Sequence, residues 1–272
     1  MKAVDTKSHS ERGSARARLL KVFGFGAPAR AAMPEGVRVY AVGDIHGRAD
    51  LLDRMHTLIA EDAASFSGTK EIVYLGDFID RGRDSKGVIE RVLKSVPDGL
   101  KPRYIKGNHD AALLAFLADA ETYRIWKNFG AAETLLSYGV RPPLYDSAEQ
   151  IEEARAALAA LLPAEHLAFF NDLELMVVTG DYAFVHAGVR PGRTLENQDE
   201  QDLLWIRDEF LSSNASFGKV VVHGHTPMPA PVRTQNRISV DTGAYATGVL
   251  TCTVLEGETA RFLQARVEPR RH

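Results

Sequence analysis

Three apolar runs in the first half of the chain, "VRVYAVGD", "EIVYLGD" and "PRYIKGN", each stop at a glycine followed by an aspartate or asparagine. Between them, "RADLLDRMHTLIAEDAASF" and "SKGVIERVLKSV" carry apolar residues at helical spacing. Strand, helix, strand, helix, strand is the order of a parallel sheet with right-handed crossovers, because parallel neighbours need a long connection that a helix supplies. In such sheets ligands gather beyond the carboxyl ends of the strands. Ala111 to about Phe170 reads as helical, with "SAEQIEEARAALAALL" opening on a serine suited to a helix start. "LELMVVTGDYAFVHAG" then reads as a hairpin around a "TGD" turn, and "QDLLWIRDEFL" as a short helix. "KVVVHG", "RISVDTG", "GVLTCTVLE" and "ARFLQARVE" follow as strands whose connections are too short for crossover helices, which predicts mixed or antiparallel pairing. The order predicts an α/β fold in which two mixed sheets are sandwiched between helices.

Composition excludes several functions. The net charge of −3 includes a basic leader, in which Lys2, Lys7, Arg12, Arg16, Arg18, Lys21 and Arg30 face only Asp5 and Glu11, so the remaining body is more acidic than the total. Such a body has no general attraction for a polyanion, and a nucleic-acid partner is not expected. One cysteine, Cys252, rules out an internal disulfide framework and a cysteine-based zinc cluster. No apolar run approaches the roughly 20 residues that span a bilayer, and the leader lacks the apolar core of a secretory signal, so a cytoplasmic address is the default expectation. Residues 1–35 are expected to be a disordered leader, with weak membrane-surface contact through "ARLLKVFGFGAPA" as the competing reading. "GFGAPA" is no dinucleotide fingerprint, since no strand precedes it and a proline interrupts it. Residues 36–268 are expected to form one domain with a helical insert at about 111–170.

Polar chemistry is concentrated at the strand ends. "GDIHG" carries Asp44 and His46, "GDFIDRG" carries Asp77, Asp80 and Arg81, and "GNHD" carries Asn108, His109 and Asp110. Later strands end in "VHAG" with His186 and "VHGHTP" with His223 and His225. Carboxylate, amide oxygen and imidazole without thiolate suit hard or borderline divalent cations. On an extended chain Asp44 and His46 would point to the same side and bite one ion together. A dimetal centre with ions about 3.5 to 4 Å apart needs a bridging carboxylate, for which Asp77 is the natural candidate. Alternation would also place His223 beside His225, leaving it open between a ligand and a supporting group, so it stays outside the ligand set. His56, His166 and the aromatic run near Trp126 read as packing.

These motifs, in this order from about Val39 to Gly248, resemble the calcineurin-like metallophosphoesterases, and within them the phosphoprotein phosphatase branch that includes phage and bacterial enzymes. The resemblance implies an α/β/β/α sandwich. It further implies that Asp44, His46 and Asp77 hold a first metal and that Asp77, Asn108, His186 and His225 hold a second. His109 would be the general acid oriented by Asp80, Arg81 and Arg207 would grip the phosphate, and Tyr245 would lie on a loop over the site. Read alone, Asp80 could equally cap a turn and Arg207 could be a solvated helix residue. "GHTP" puts Pro227 where many phosphodiesterases of the superfamily place a further histidine, and "DRG" also points to the protein-phosphatase branch. "GNHD", where eukaryotic members more often read "GNHE", leaves the role of Asp110 open.

The function expected is phosphomonoester hydrolysis, as a serine/threonine phosphoprotein phosphatase, in which two cations lower the pKa of a bridging water and clamp the phosphoryl oxygens. Manganese is what bacterial relatives suggest, and the ligand types also accept iron or zinc. Expected substrates are a phosphorylated protein or a small phosphate ester. Two competing functions are hydrolysis of a bis(5′-nucleosyl) tetraphosphate and, in a different class, a catalytically silent metal-binding scaffold recruited through the leader. A cysteine phosphatase is excluded, because Glu258 stands where the C-x5-R loop of such enzymes would need an arginine after Cys252.

Overall fold

The computed structural model describes residues 31–267. Strand β1 (Val37–Val42), helix α1 (Ala49–Ala63), β2 (Thr69–Tyr74), α2 (Ser85–Lys94) and β3 (Leu100–Tyr104) alternate as the sequence predicts, and β1, β2 and β3 pair in parallel. Helices α3 (Asn108–Ala118), α4 (Tyr123–Trp126), α5 (Ala131–Ser137), α6 (Ala148–Leu161) and α7 (Ala164–Asn171) follow. The second sheet holds β4 (Met176–Thr179), β5 (Tyr182–Val185), β6 (Val220–His223), β7 (Val232–Arg233) and β8 (Arg237–Ser239), with the short helices α8 (Glu200–Trp205) and α9 (Asp208–Leu211) between β5 and β6. After α10 (Ala244–Thr247), strands β9 (Val249–Glu256) and β10 (Thr259–Arg266) return to the first sheet, whose order is β10-β9-β1-β2-β3; the second runs β4-β5-β6-β8-β7.

Burial explains why the strands read as near-continuous apolar runs. Tyr40, Val42, Ile72 and Tyr74 face α1 and α2, where Leu51, Leu52, Met55, Ile59, Val88 and Val92 form the matching helix stripes. Val39, Ala41, Val73 and Leu75 face the other way, against Val177, Phe184, Val222 and Ile238 of the second sheet. The far side of that sheet packs Val185 and Val221 on Leu203 and Phe210. Helix, sheet, sheet and helix therefore form the four expected layers, and strands buried on both faces leave their carboxyl ends as the place where polar groups can collect.

Two sequence expectations change in detail. Ala31 and Met33 are already buried in the layer between the sheets, and Met33 N donates to Gly257 O at 2.8 Å, so packed chain begins before residue 35. The remainder of the leader, with its amphipathic stretch, lies outside the described residues. "ETYRIWKNFGAAETLLSYG" is not one helix but α4 and α5 broken at Gly130, whose φ is 97°. A Cβ there would sit 2.6 Å from Arg81 N, so glycine is required both for the left-handed turn and for the close approach. None of the described helices is long and apolar enough to cross a membrane.

Candidate metal centre

The five polar clusters meet at the carboxyl ends of β1, β2, β3, β5 and β6. Asp44, His46, Asp77, Asn108, His186 and His225 are all at most 5% exposed. The chain achieves this convergence with unusual backbone. Among the described residues, the non-glycine residues with positive φ are His46, Asp77, Asp80, Arg81 and His225, and every one belongs to the site. A left-handed conformation costs a non-glycine residue about 1 to 3 kcal/mol and persists only where surroundings over-determine it. His46, at φ 46°, is therefore not on an extended end, so the alternation that predicted a same-side bite with Asp44 does not hold there, and the carboxylate grouped with His46 is that of Asp77. The same departure corrects His223. Strand β6 ends there, and His225 turns left-handed (φ 65°). His223 packs edge-on against Phe210, 5.0 Å between ring centres, and Phe210 belongs to the apolar cluster on the outer face of the second sheet.

Asp77 stands at the middle. One group of ligand atoms joins His46, Asp77 and His109, a second joins Asp77, His186 and His225, and within each group the atoms lie within 4.8 Å of one another. In the second, His186 Nε2 is 2.9 Å from Asn108 Oδ1, 3.1 Å from His225 Nδ1 and 3.4 Å from Asp77 Oδ1. His186 Nδ1 faces Leu75 O at 2.8 Å, so that nitrogen carries the proton and Nε2 presents a bare lone pair. His46 does likewise, with Nδ1 2.8 Å from Ile79 O and Nε2 3.5 Å from Asp77 Oδ2. Asp44 Oδ2 accepts from His225 N at 2.9 Å, while its Oδ1 is buried without a partner. Lone pairs converging on one another, with an orphaned carboxylate oxygen beside them, fit a cationic occupant and little else.

Electrostatics divides the histidines. Burial lowers His46 to about 3 and His225 to about 2, and also lowers His186, so all three are neutral and competent to ligate. His109 goes the other way. Burial opposes its charge, but Asp77 and Asp80 outweigh burial and hold it above its ordinary value. Its Nδ1 lies 2.7 Å from Asp80 Oδ2, and its Nε2 lies 3.4 Å from Arg81 Nη2 and 3.8 Å from Asp77 Oδ2. Its Nδ1 is thus tied to a carboxylate, whereas the Nδ1 atoms of His46 and His186 face backbone carbonyls.

The remaining expected residues are placed unequally. Arg81 has its guanidinium 4.5 Å above the Tyr245 ring, and that ring stands edge-on to His46 at 5.4 Å, so both frame the site. Arg207 is exposed at the start of α9, lining with Trp205 an opening of about 380 Å³ beside His225. A separate groove of about 530 Å³ runs from Arg81 and Tyr245 past Arg48 and Arg83. Asp110, left open by the sequence, is a backbone clamp: its Oδ2 accepts from Asp77 N and Gly107 N, both at 2.9 Å, and its Oδ1 from Phe78 N at 3.2 Å. Asp241 was missed. It is 2% exposed, its carboxyl is pushed up to about 6 chiefly by burial, and it adds its field to that of Asp44. Its "SVDTG" context, an aspartate just after β8, repeats the strand-end pattern of the other motifs and could have marked it.

A buried carboxylate shared between two imidazole groups, with a carboxylate-held histidine at the edge, defines the class of divalent-metal hydrolases. The chain belongs to the calcineurin-like phosphoesterase family, whose model matches residues 37–254. It is similar to the asymmetrical bis(5′-nucleosyl)-tetraphosphatase PrpE of Oceanobacillus iheyensis, 25% identical over 76% of this chain and 84% of that protein. It is equally similar to serine/threonine-protein phosphatase 1 of Salmonella typhimurium, 27% identical over 78% of this chain and 89% of that one. In fold it matches a solved structure provisionally assigned as a diadenosine tetraphosphatase, with a TM-score of 0.56 and 20% identity over 89% of this chain and 97% of that one.

Proposed function

We propose that this chain is a dinuclear-metal phosphomonoester hydrolase acting on phosphoserine or phosphothreonine. Asp44, His46 and Asp77 would hold one divalent ion, and Asp77, Asn108, His186 and His225 a second. When bound, the ions supply a deprotonated water near neutral pH and neutralise charge on the phosphoryl oxygens. Arg81 and Arg207 would bind the phosphate oxygens and so orient the group for in-line displacement. His109 Nε2 holds the proton that the leaving oxygen takes as the P–O bond breaks, and Asp80 holds the ring by Nδ1.

The observation that carries this reading is the 2.7 Å pair of His109 and Asp80. A serine or threonine alkoxide is a poor leaving group, and a placed acid is worth about 10²- to 10⁴-fold to its departure. A nucleotide leaving from a pyrophosphate bond departs as a stabilised anion and has less need of one. The relatives support both chemistries, so tetraphosphate hydrolysis is the second reading. Manganese-supplemented protein assayed on phosphoserine, phosphothreonine and phosphotyrosine peptides and on diadenosine tetraphosphate separates them. The highest kcat/KM is expected on phosphoserine or phosphothreonine; preference for the dinucleotide overturns the proposal, and absence of turnover on all four favours a silent scaffold.

A further inference from the structure

The carboxylate that holds His109 is itself held by the helical insert. Asp80 is fully buried and left-handed (φ 70°), a conformation it cannot keep unaided. Trp126 Nε1 donates to Asp80 Oδ2 at 2.8 Å, the same oxygen that faces His109 Nδ1. Thr134 Oγ1 donates to Asp80 Oδ1 at 2.6 Å and accepts from Asp80 N at 2.9 Å, so one hydroxyl fixes both ends of the residue. Between Trp126 and Thr134, the glycine turn at Gly130 brings its carbonyl to Arg81 N at 3.4 Å.

Packing alone does not explain this. A phenyl ring would fill most of the space of the buried Trp126 indole against Phe116, yet only the indole N–H can meet Asp80 Oδ2. A carboxylate gripped at both oxygens cannot rotate, and the ring it holds by Nδ1–H therefore keeps one direction for Nε2. We propose that Trp126 and Thr134 are positioning residues for proton donation, so that the insert aims the acid. This rests on His109 being the acid.

The test uses two phosphate esters on the metal-loaded protein. An alkyl ester, as a phosphoserine peptide or glycerol 2-phosphate, needs a proton on its leaving oxygen, whereas p-nitrophenyl phosphate releases a stable phenolate without one. Trp126→Phe and Thr134→Val are expected to lower kcat on the alkyl ester about 10-fold or more, since misaligning a catalytic group can cost up to about 10²-fold. KM and the rate on p-nitrophenyl phosphate are expected to stay near wild type, and Thr134→Ser, which keeps the hydroxyl, to restore the alkyl rate. Equal losses on both esters, or no loss on either, overturn the proposal. His109→Ala is measured in parallel. If it discriminates between the esters and the Trp126 and Thr134 variants do not, positioning fails and the acid stands; if it does not discriminate, both fall. Should Trp126→Phe fail to fold, the Thr134→Val and Thr134→Ser pair decides.

Discussion

Replacing Asp110 by asparagine isolates the clamp beneath the metal centre. The carboxylate accepts from Asp77 N, Gly107 N and Phe78 N, and thereby ties the left-handed turn after β2 to the start of α3. An amide oxygen in the Oδ2 position retains two of these bonds, at neutral rather than charged strength, and its NH2 group confronts Phe78 N. One charge-assisted bond lost at about 1.5 to 3 kcal/mol, plus roughly 1 kcal/mol from each weakened bond, amounts to about 4 kcal/mol. Relief opposes this loss: burial, and then the nearby Asp77 charge, hold the Asp110 carboxyl well above the usual carboxylate range, so a neutral side chain removes a strained charge. The net expected is a destabilisation below about 4 kcal/mol, which at a urea slope of about 3 kcal/mol/M lowers the unfolding midpoint of the metal-free protein by up to about 1 M. Metal affinity should fall too, because Asp77 loses the contact that fixes its backbone. Urea unfolding followed by circular dichroism, with metal titration of the same variant, reads both. An unchanged or raised midpoint with unchanged metal affinity would refute the clamp.

Gly107→Ala tests the close approach directly. Its φ of −93° suits any residue, but a Cβ would lie 2.1 Å from Asp77 Oδ1 and 2.3 Å from Asp77 N, so the variant should fold with reduced metal content; full loading by elemental analysis would contradict the geometry. Outside the candidate ligand set, buried His56 pairs with the Tyr74 hydroxyl at 2.7 Å, and burial lowers it to about 4 from an unfolded value of about 6.5. The unfolded chain then binds more protons in this window, so the contribution of neutral His56 is full above pH 6.5 and is lost as pH falls towards 4. At about 1.4 kcal/mol per pH unit, wild type should lose about 2 kcal/mol between pH 7 and pH 5 on this account, a dependence His56→Gln should lack; equal slopes in urea unfolding at the two pH values would count against it.

What the sequence made legible was whatever follows from local pattern. Apolar runs ending in "GD" or "GN" predicted the strands, their parallel pairing and the end at which polar groups collect, and residue types predicted a cation. What escaped it was set by tertiary contact. Alternation misplaced His223, because the chain leaves β6 by a left-handed turn at His225 that no periodicity encodes. Trp126 read as packing, since an indole buried against Phe116 and an indole donating to Asp80 look the same in sequence. Asp110 could not be interpreted, because its partners are backbone N–H groups and these carry no side-chain signature. Gly130 was absorbed into a helix because its reason is Arg81, distant in the chain. Asp241 had the strand-end signal but no neighbouring histidine to draw attention to it.

Everything above depends on Asp77 joining two cation sites at the meeting point of the strand ends. The most direct measurement is the metal content of manganese-supplemented wild-type protein and Asp77→Asn, by inductively coupled plasma mass spectrometry alongside circular dichroism to establish folding. Two ions per chain in wild type, falling below one in a folded Asp77→Asn, is the predicted result. A wild-type protein that retains no ion, or an Asp77→Asn variant loaded as fully as wild type, would contradict it.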